Sequence, residues 1–258
     1  MKLIDIQNSR PEAEIPIDKV GIKRLKYPVL VLDRQKGHQH TIAEFNLYVD
    51  LPAQFKGTHM SRFIEVLNEF KDEIYIKNIM KILKKIRQKL KAQSAHLEMY
   101  FPYFIEKSSP VTGIKSLMEY QGFFIASHFK RKKDLILGVK VPVMTVCPCS
   151  KAISKYSAHN QRSEVTIKVR VKNFVWLEEL IEIAEESASS PVYALLKRPD
   201  EKYITEKSYE NAKFVEDVVR CAAKRLLEHP EVTWFAVEAE NFESIHHHNA
   251  YAYIEKKK

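Results

Sequence analysis

Cys147, Pro148, Cys149 and, a short way on, His159 are the grouping in this chain best suited to do chemistry. The chain has only three cysteines, and two of them share a short segment with an imidazole and several basic side chains. Thiolate sulfur and imidazole nitrogen both suit a zinc-like divalent ion. Pro148 disfavours helix at Cys147, and in an extended segment residues two apart project to one side, so both sulfurs would address one cavity. No second cysteine pair exists to close a four-ligand structural site. Any metal would therefore keep an open position, as in catalytic sites, where bound water loses a proton near neutral pH or a substrate is polarised. Buried thiols beside a hydrogen-bonded histidine are the other reading of the same residues.

The elements that must position this grouping follow from the apolar pattern. Residues 1–17 are polar, carry Pro11 and Pro16, and read as a loose arm. Strands are expected at 27–33 and 41–51 around the turn-like Arg34-Gln-Lys-Gly-His38, forming a hairpin. Helical patterns follow at 58–70 and 74–93, then strands at 95–105, 117–129 and 135–146. The second half repeats the order: a strand at 163–171, a helix at 174–186, a loop holding Pro191 and Pro199, a helix at 209–227, and strands at 231–240 and 250–255. Strands, two helices, then strands, given twice, predict an α+β chain of two similar modules, 18–150 and 151–258, each packing two helices on one face of antiparallel sheet.

At 258 residues, with 45% apolar and 29% charged side chains, the chain has the balance of a globular protein with a substantial core. Its net charge of +9 favours anionic partners without choosing among them. Much of that charge lies in Lys77 to Lys91, where Lys81, Lys84, Lys85, Arg87 and Lys89 alternate with Ile79, Ile82, Leu83 and Ile86. This reads as an amphipathic helix with a solvated basic face, because the run lacks the aromatic residues that stack on bases. No apolar run reaches transmembrane length and no signal peptide is evident, so the expectation is a cytoplasmic protein with no membrane partner and with its thiols free or metal-bound. Cys221, in a helical pattern, reads as core.

Six stretches carry a resemblance: Lys56-Gly-Thr-His-Met-Ser-Arg62, Val141-Pro-Val-Met-Thr-Val-Cys-Pro-Cys-Ser-Lys151, Ala158-His-Asn-Gln-Arg-Ser163, Glu201-Lys-Tyr, Phe214-Val-Glu-Asp-Val-Val-Arg220 and Asn241-Phe-Glu-Ser-Ile-His246. Through them the chain resembles the prokaryotic type IB GTP cyclohydrolase I enzymes over nearly its whole length. Ser157 stands where that family more often has glycine. The resemblance implies a tunnelling fold (T-fold) with two tandem modules, a homotetramer, and hydrolysis of GTP to 7,8-dihydroneopterin triphosphate and formate. That reaction enters tetrahydrofolate synthesis and, in some organisms, deazaguanine modification of tRNA. It also implies a divalent ion, zinc or manganese, on Cys147, His159 and Glu201, guanine recognition by Glu216, and catalytic assistance from Cys149 and His246.

These assignments meet the needs of the reaction. Opening the imidazole ring calls for activated water at C8 and a proton for a ring nitrogen, and the later ribose rearrangement calls for more than one acid or base. His159 would serve both metal and catalysis. A single carboxylate can read guanine's N1–H and 2-amino donors. From the sequence alone, however, Glu216 is a solvated helix acid and Glu201, between Asp200 and Lys202 in a loop, a surface acid. Of His246, His247 and His248, the first is the catalytic candidate, with His248 on its side if the segment is extended. Lys56, His59 and Arg62 flank an expected helix start, where free N–H groups favour phosphate and where Thr58 or Ser61 could cap. Lys151 and Arg162 are weaker triphosphate candidates. The rivals are a nitrile reductase of the same fold, which leaves the Cys147, His159 and Glu201 set unexplained, and a basic RNA-binding module with a structural metal; the expectation is a GTP-directed enzyme with no nucleic-acid partner.

Overall fold

The computed structural model describes residues 5–70 and 78–258. Contacts divide the chain into two compact units, one running up to Phe101 and including Phe123–Ile136, the other made of Pro102–Gly122 and Leu137–Lys258.

In the first unit β1 (Ile17–Asp33) and β2 (Gly37–Leu51) form the expected hairpin, with β1 beginning earlier than the sequence suggested. Asp33 closes the turn by accepting from the Gln35 and Lys36 amides at 2.9 and 2.7 Å, and Gly37 supplies a φ of +79°. Farther along, the strands approach so closely that a Cβ on Gly21 would stand 1.8 Å from the Leu47 carbonyl oxygen. Strand β2 continues antiparallel into β3 (Ser94–Ser108). Its alternate residues Ala43, Phe45, Leu47, Val49 and Leu51 are all buried, the period-two pattern of a one-sided sheet.

Helix α1 (Ser61–Glu69) buries Phe63, Val66 and Leu67, and α2 (Ile79–Lys89) buries Ile79, Ile82, Leu83 and Ile86. The two helices pack on each other. The basic face of α2 is exposed at Lys81, Lys84 and Lys85, as expected, and Lys85 and Lys89 pair with Glu69 at 3.0 and 3.2 Å. Lys77 and the expected helical stretch before Asn78 lie outside the described residues. The arm expected to be loose forms a short turn at Ile6–Asn8, and the Ser9 and Gln7 carbonyls accept from the Lys56 and Gly57 amides at 2.9 and 3.1 Å.

Strands β4 (Lys115–Phe129) and β5 (Lys132–Val146) follow. In the second unit the later part of β5 pairs antiparallel with β6 (Asn160–Val171), from Leu137↔Val169 to Val146↔Asn160. Strand β6 pairs with β8 (Val232–Asn241) and β8 with β9 (Ala250–Lys257), while the short β7 (Ser190–Pro191) lies against Met144 and Val143. Helices α4 (Leu177–Ser187) and α6 (Val215–Glu228) pack together, and α6 covers β8 and β9.

Two helices depart from the sequence reading. A short α3 (Pro148–Ile153) follows Cys147 directly, so the segment through both cysteines is not extended. A full helix, α5 (Arg198–Glu210), occupies what read as a loop, and α6 starts at Val215 instead of near 209. Both missed helices have proline in their first turn, where its fixed φ suits a helix and its missing N–H costs nothing.

Candidate functional site

The end of β5 and the start of β6 bring Cys147 and His159 together. The Cys147 amide donates to the His159 carbonyl at 3.1 Å. Cys147 keeps an extended backbone, as Pro148 requires, and its Sγ accepts the Ser150 amide at 3.4 Å as the cap of α3. Ser150 Oγ donates to the Cys147 carbonyl at 3.1 Å and accepts the His159 amide at 3.2 Å, closing the loop between the two residues. Cys147 is half-buried and Cys149 is exposed. Because Cys149 sits on the first turn of α3, the expectation that both sulfurs leave one side of an extended strand fails.

The His159 ring is held from one edge. Its Nδ1 lies 3.1 Å from Gln161 Oε1 and 3.3 Å from Ser244 Oγ, which brings the 242–249 segment to the site. That segment bends instead of extending, and the His246 and His248 rings still share a side, stacked with centroids 5.3 Å apart. A cavity of about 340 Å³ opens beside His159, lined by Ser150, Tyr156, Ser157 and Ile245 among others. Ser157 has a φ of +139°, in the region that favours glycine.

Further contacts fasten this corner from below. Val146 donates its amide to Ser189 Oγ at 3.1 Å and accepts the Lys213 amide at 3.1 Å, just ahead of α6. Lys151 does not stand free for phosphate: its Nζ donates to the Tyr209 carbonyl at 2.5 Å and lies over the Tyr209 ring at 4.4 Å. Arg162 is exposed on β6.

Glu201 lies on the first turn of α5, exposed, and not in a loop. Tyr209 lies eight positions farther along the same helix, about 12 Å at the helical rise per residue. Among the described residues no three His, Cys, Asp or Glu side chains are grouped so as to hold a metal; a backbone bond joins Cys147 to His159, and Glu201 belongs to no such group with them. Its neighbour Asp200 faces inward and fixes the helix start. Burial alone would push that carboxyl up, but the amides of Thr112, Lys197 and Val111 and the Thr112 hydroxyl overcome this and hold it well below the usual carboxylate range.

Glu216 is exposed on the first turn of α6, where the helix dipole favours a carboxylate. Lys56, His59 and Arg62 belong to the first unit. Lys56 is exposed, His59 Nε2 lies 3.4 Å from Asp5 Oδ1, and Arg62 donates to the Lys89 carbonyl at 3.3 Å. Neither Thr58 nor Ser61 caps α1; Met60 is the cap, with no side-chain hydrogen bond. Cys221 is half-buried on α6, not core.

Sequence reasoning missed Thr145, Ser150, Gln161, Ser163, Asn241 and Ser244. The signal was available for Gln161 and Ser163, which follow His159 at strand spacing and so share its face.

The family model described as Type I GTP cyclohydrolase folE2 matches residues 3–252. A protein of Syntrophus aciditrophicus named GTP cyclohydrolase FolE2 is 62% identical over 99% of this chain and 100% of its own length. One of Thermosipho africanus with the same name is 56% identical, covering 97% and 96% of the two chains. Among solved structures, uricase from Arthrobacter globiformis superposes with a TM-score of 0.56 at 9% identity over 93% of each chain. A urate oxidase of Bacillus sp. TB-90 gives 0.58 at 8% identity over 94% of this chain and all of its own. At such identities the likeness is one of fold alone, and that fold is the tunnelling fold.

Proposed function

The chain belongs to the Type I GTP cyclohydrolase FolE2 family, and from that premise we propose that it hydrolyses GTP to 7,8-dihydroneopterin triphosphate and formate, the entry step to tetrahydrofolate. The observation that carries this reading to particular residues is the Cys147–His159 junction, where a 3.1 Å backbone hydrogen bond joins the residues that carry a thiol and an imidazole, with a cavity beside His159.

The junction suits a divalent ion, zinc or manganese. With His159 Nδ1 engaged by Gln161 and Ser244, Nε2 is the nitrogen left for a ligand. Cys147 supplies a soft donor from the adjoining end of β5, and Glu201 is the third proposed ligand. Such an ion, when bound, supplies activated water for the hydrolytic steps. The protein would form a homotetramer, in which a neighbouring copy would present Glu201 to the junction.

The remaining roles belong to side chains. Glu216 would accept guanine's N1–H and 2-amino hydrogens with one carboxylate, fixing the base so that C8 faces the junction. Cys149, exposed on α3, and His246 would hold and return the protons needed as the imidazole ring opens, C8 departs as formate and the ribose rearranges before the pterin ring closes. Lys56, His59 and Arg62 would hold the triphosphate. A cytoplasmic location is part of the same proposal and agrees with an intracellular nucleotide as substrate. Incubating the protein with GTP and a divalent ion, then oxidising the dihydropterin product with iodine, tests the reading: formate and a fluorescent oxidised pterin are expected in equal amounts, and neither appearing would refute it.

A further inference from the structure

Below His159 a line of buried polar side chains crosses three strands. Gln161 Nε2 donates to Thr145 Oγ1 at 2.8 Å, Thr145 Oγ1 lies 2.9 Å from Ser163 Oγ, and Ser163 Oγ donates to Asn241 Oδ1 at 2.7 Å. The line follows sheet register: Thr145 of β5 faces Gln161 of β6, and Ser163 of β6 faces Asn241 of β8. Thr145, Ser163, Asn241 and Gln161 are 0, 1, 3 and 7% exposed, so their donors and acceptors must be satisfied largely by one another.

Counting protons gives the line a direction. The amide oxygen of Asn241 can only accept, so the single Ser163 hydroxyl proton is committed to it. Ser163 must then accept from Thr145, and Thr145, its proton spent, must accept from Gln161 Nε2. That turns Gln161 Oε1 toward His159 Nδ1 at 3.1 Å, where it can only accept; Nδ1 then carries the ring proton, and Ser244 Oγ, 3.3 Å from the same nitrogen, is a second acceptor for it and not a donor to it. We infer that Asn241, Ser163, Thr145 and Gln161 are positioning residues that fix His159 as the Nδ1–H tautomer and leave the Nε2 lone pair for a metal ion. The metal half of this inference rests on the reading of His159 as a ligand; the tautomer half stands on the hydrogen bonds alone.

Nitrogen-15 NMR of the metal-free, full-length protein tests it, with the His159 ring assigned by loss of its signals in His159→Gln and observed at a pH where the ring is neutral. The wild type should show protonated Nδ1 and bare Nε2. Thr145→Val keeps the shape and removes the hydroxyl, and Asn241→Leu removes the terminal acceptor; each should give a mixture of tautomers and weaken zinc binding, measured against a chromophoric chelator, by about 10–100-fold. Thr145→Ser, which keeps the hydroxyl, should match the wild type in both readouts. A wild-type ring protonated at Nε2, or tautomer and zinc affinity both unmoved in folded Thr145→Val and Asn241→Leu, would overturn the inference. Tautomers that follow the variants in a wild-type protein that binds no zinc would support the proton chain and sink the metal reading.

Discussion

Cys147 and Cys149 occupy different surroundings although one proline separates them. Cys147 is half-buried, caps α3 and is hydrogen-bonded through its backbone to His159, while Cys149 is exposed on the helix. Cys147→Ala is therefore expected to remove metal and activity together, and Cys149→Ala to keep most of the metal while slowing turnover, with metal content read by mass spectrometry and turnover by formate release. Equal metal loss in the two would show the roles to be wrongly divided. Glu216→Gln should cost roughly 1.5–3 kcal/mol in kcat/KM, about one to two decades, because the amide turns a donor toward guanine's own donors. Unchanged kcat/KM with GTP would return Glu216 to an ordinary solvated acid at a helix start. The Cys147–His159 pairing was legible in the sequence because soft donors clustered there. The direction of Cys149 was not, since Pro148 both ends a strand and opens a helix, and sequence reasoning followed only the first consequence.

At the scale of elements, α5 decides where Glu201 points. Asp200 anchors the helix start through four hydrogen bonds, to Lys197, Val111 and Thr112, whereas Glu201 beside it is exposed. Glu201→Ala is expected to change stability by no more than about 0.5 kcal/mol while abolishing metal-dependent turnover. Asp200→Ala should lower Tm by clearly more and reduce turnover indirectly, by releasing the helix that carries Glu201. Thermal melts and formate assays on the two variants separate these roles; a Tm loss in Glu201→Ala matching that of Asp200→Ala would make Glu201 structural. Strands and the amphipathic helices α1, α2, α4 and α6 were readable because their buried residues recur at period two or at three and four. Helix α5 was not, because among its described positions few are buried, chiefly Asp200, Ile204 and Ser208, so it shows no strong apolar stripe.

For the whole molecule, the proposed homotetramer makes a prediction about sharing. A backbone bond joins Cys147 to His159 within one chain, and among the described residues Glu201 forms no metal-holding group with them, so mixed assemblies of Cys147→Ala and Glu201→Ala chains, each inactive alone, should recover part of the wild-type turnover when co-refolded. No recovery in assemblies shown to be mixed would place all three ligands on one chain. The fold class was legible from the repeated order of strands and helices; how copies assemble was not, because nothing in one chain's apolar pattern names its neighbour. The most direct test of the central claim, that the Cys147–His159 junction with a divalent ion turns over GTP, is formate release by rigorously chelated protein as zinc or manganese is titrated back. The account predicts no formate without the ion and recovery that saturates near one ion per chain in wild type, with none in Cys147→Ala; full turnover in the metal-free protein would contradict it.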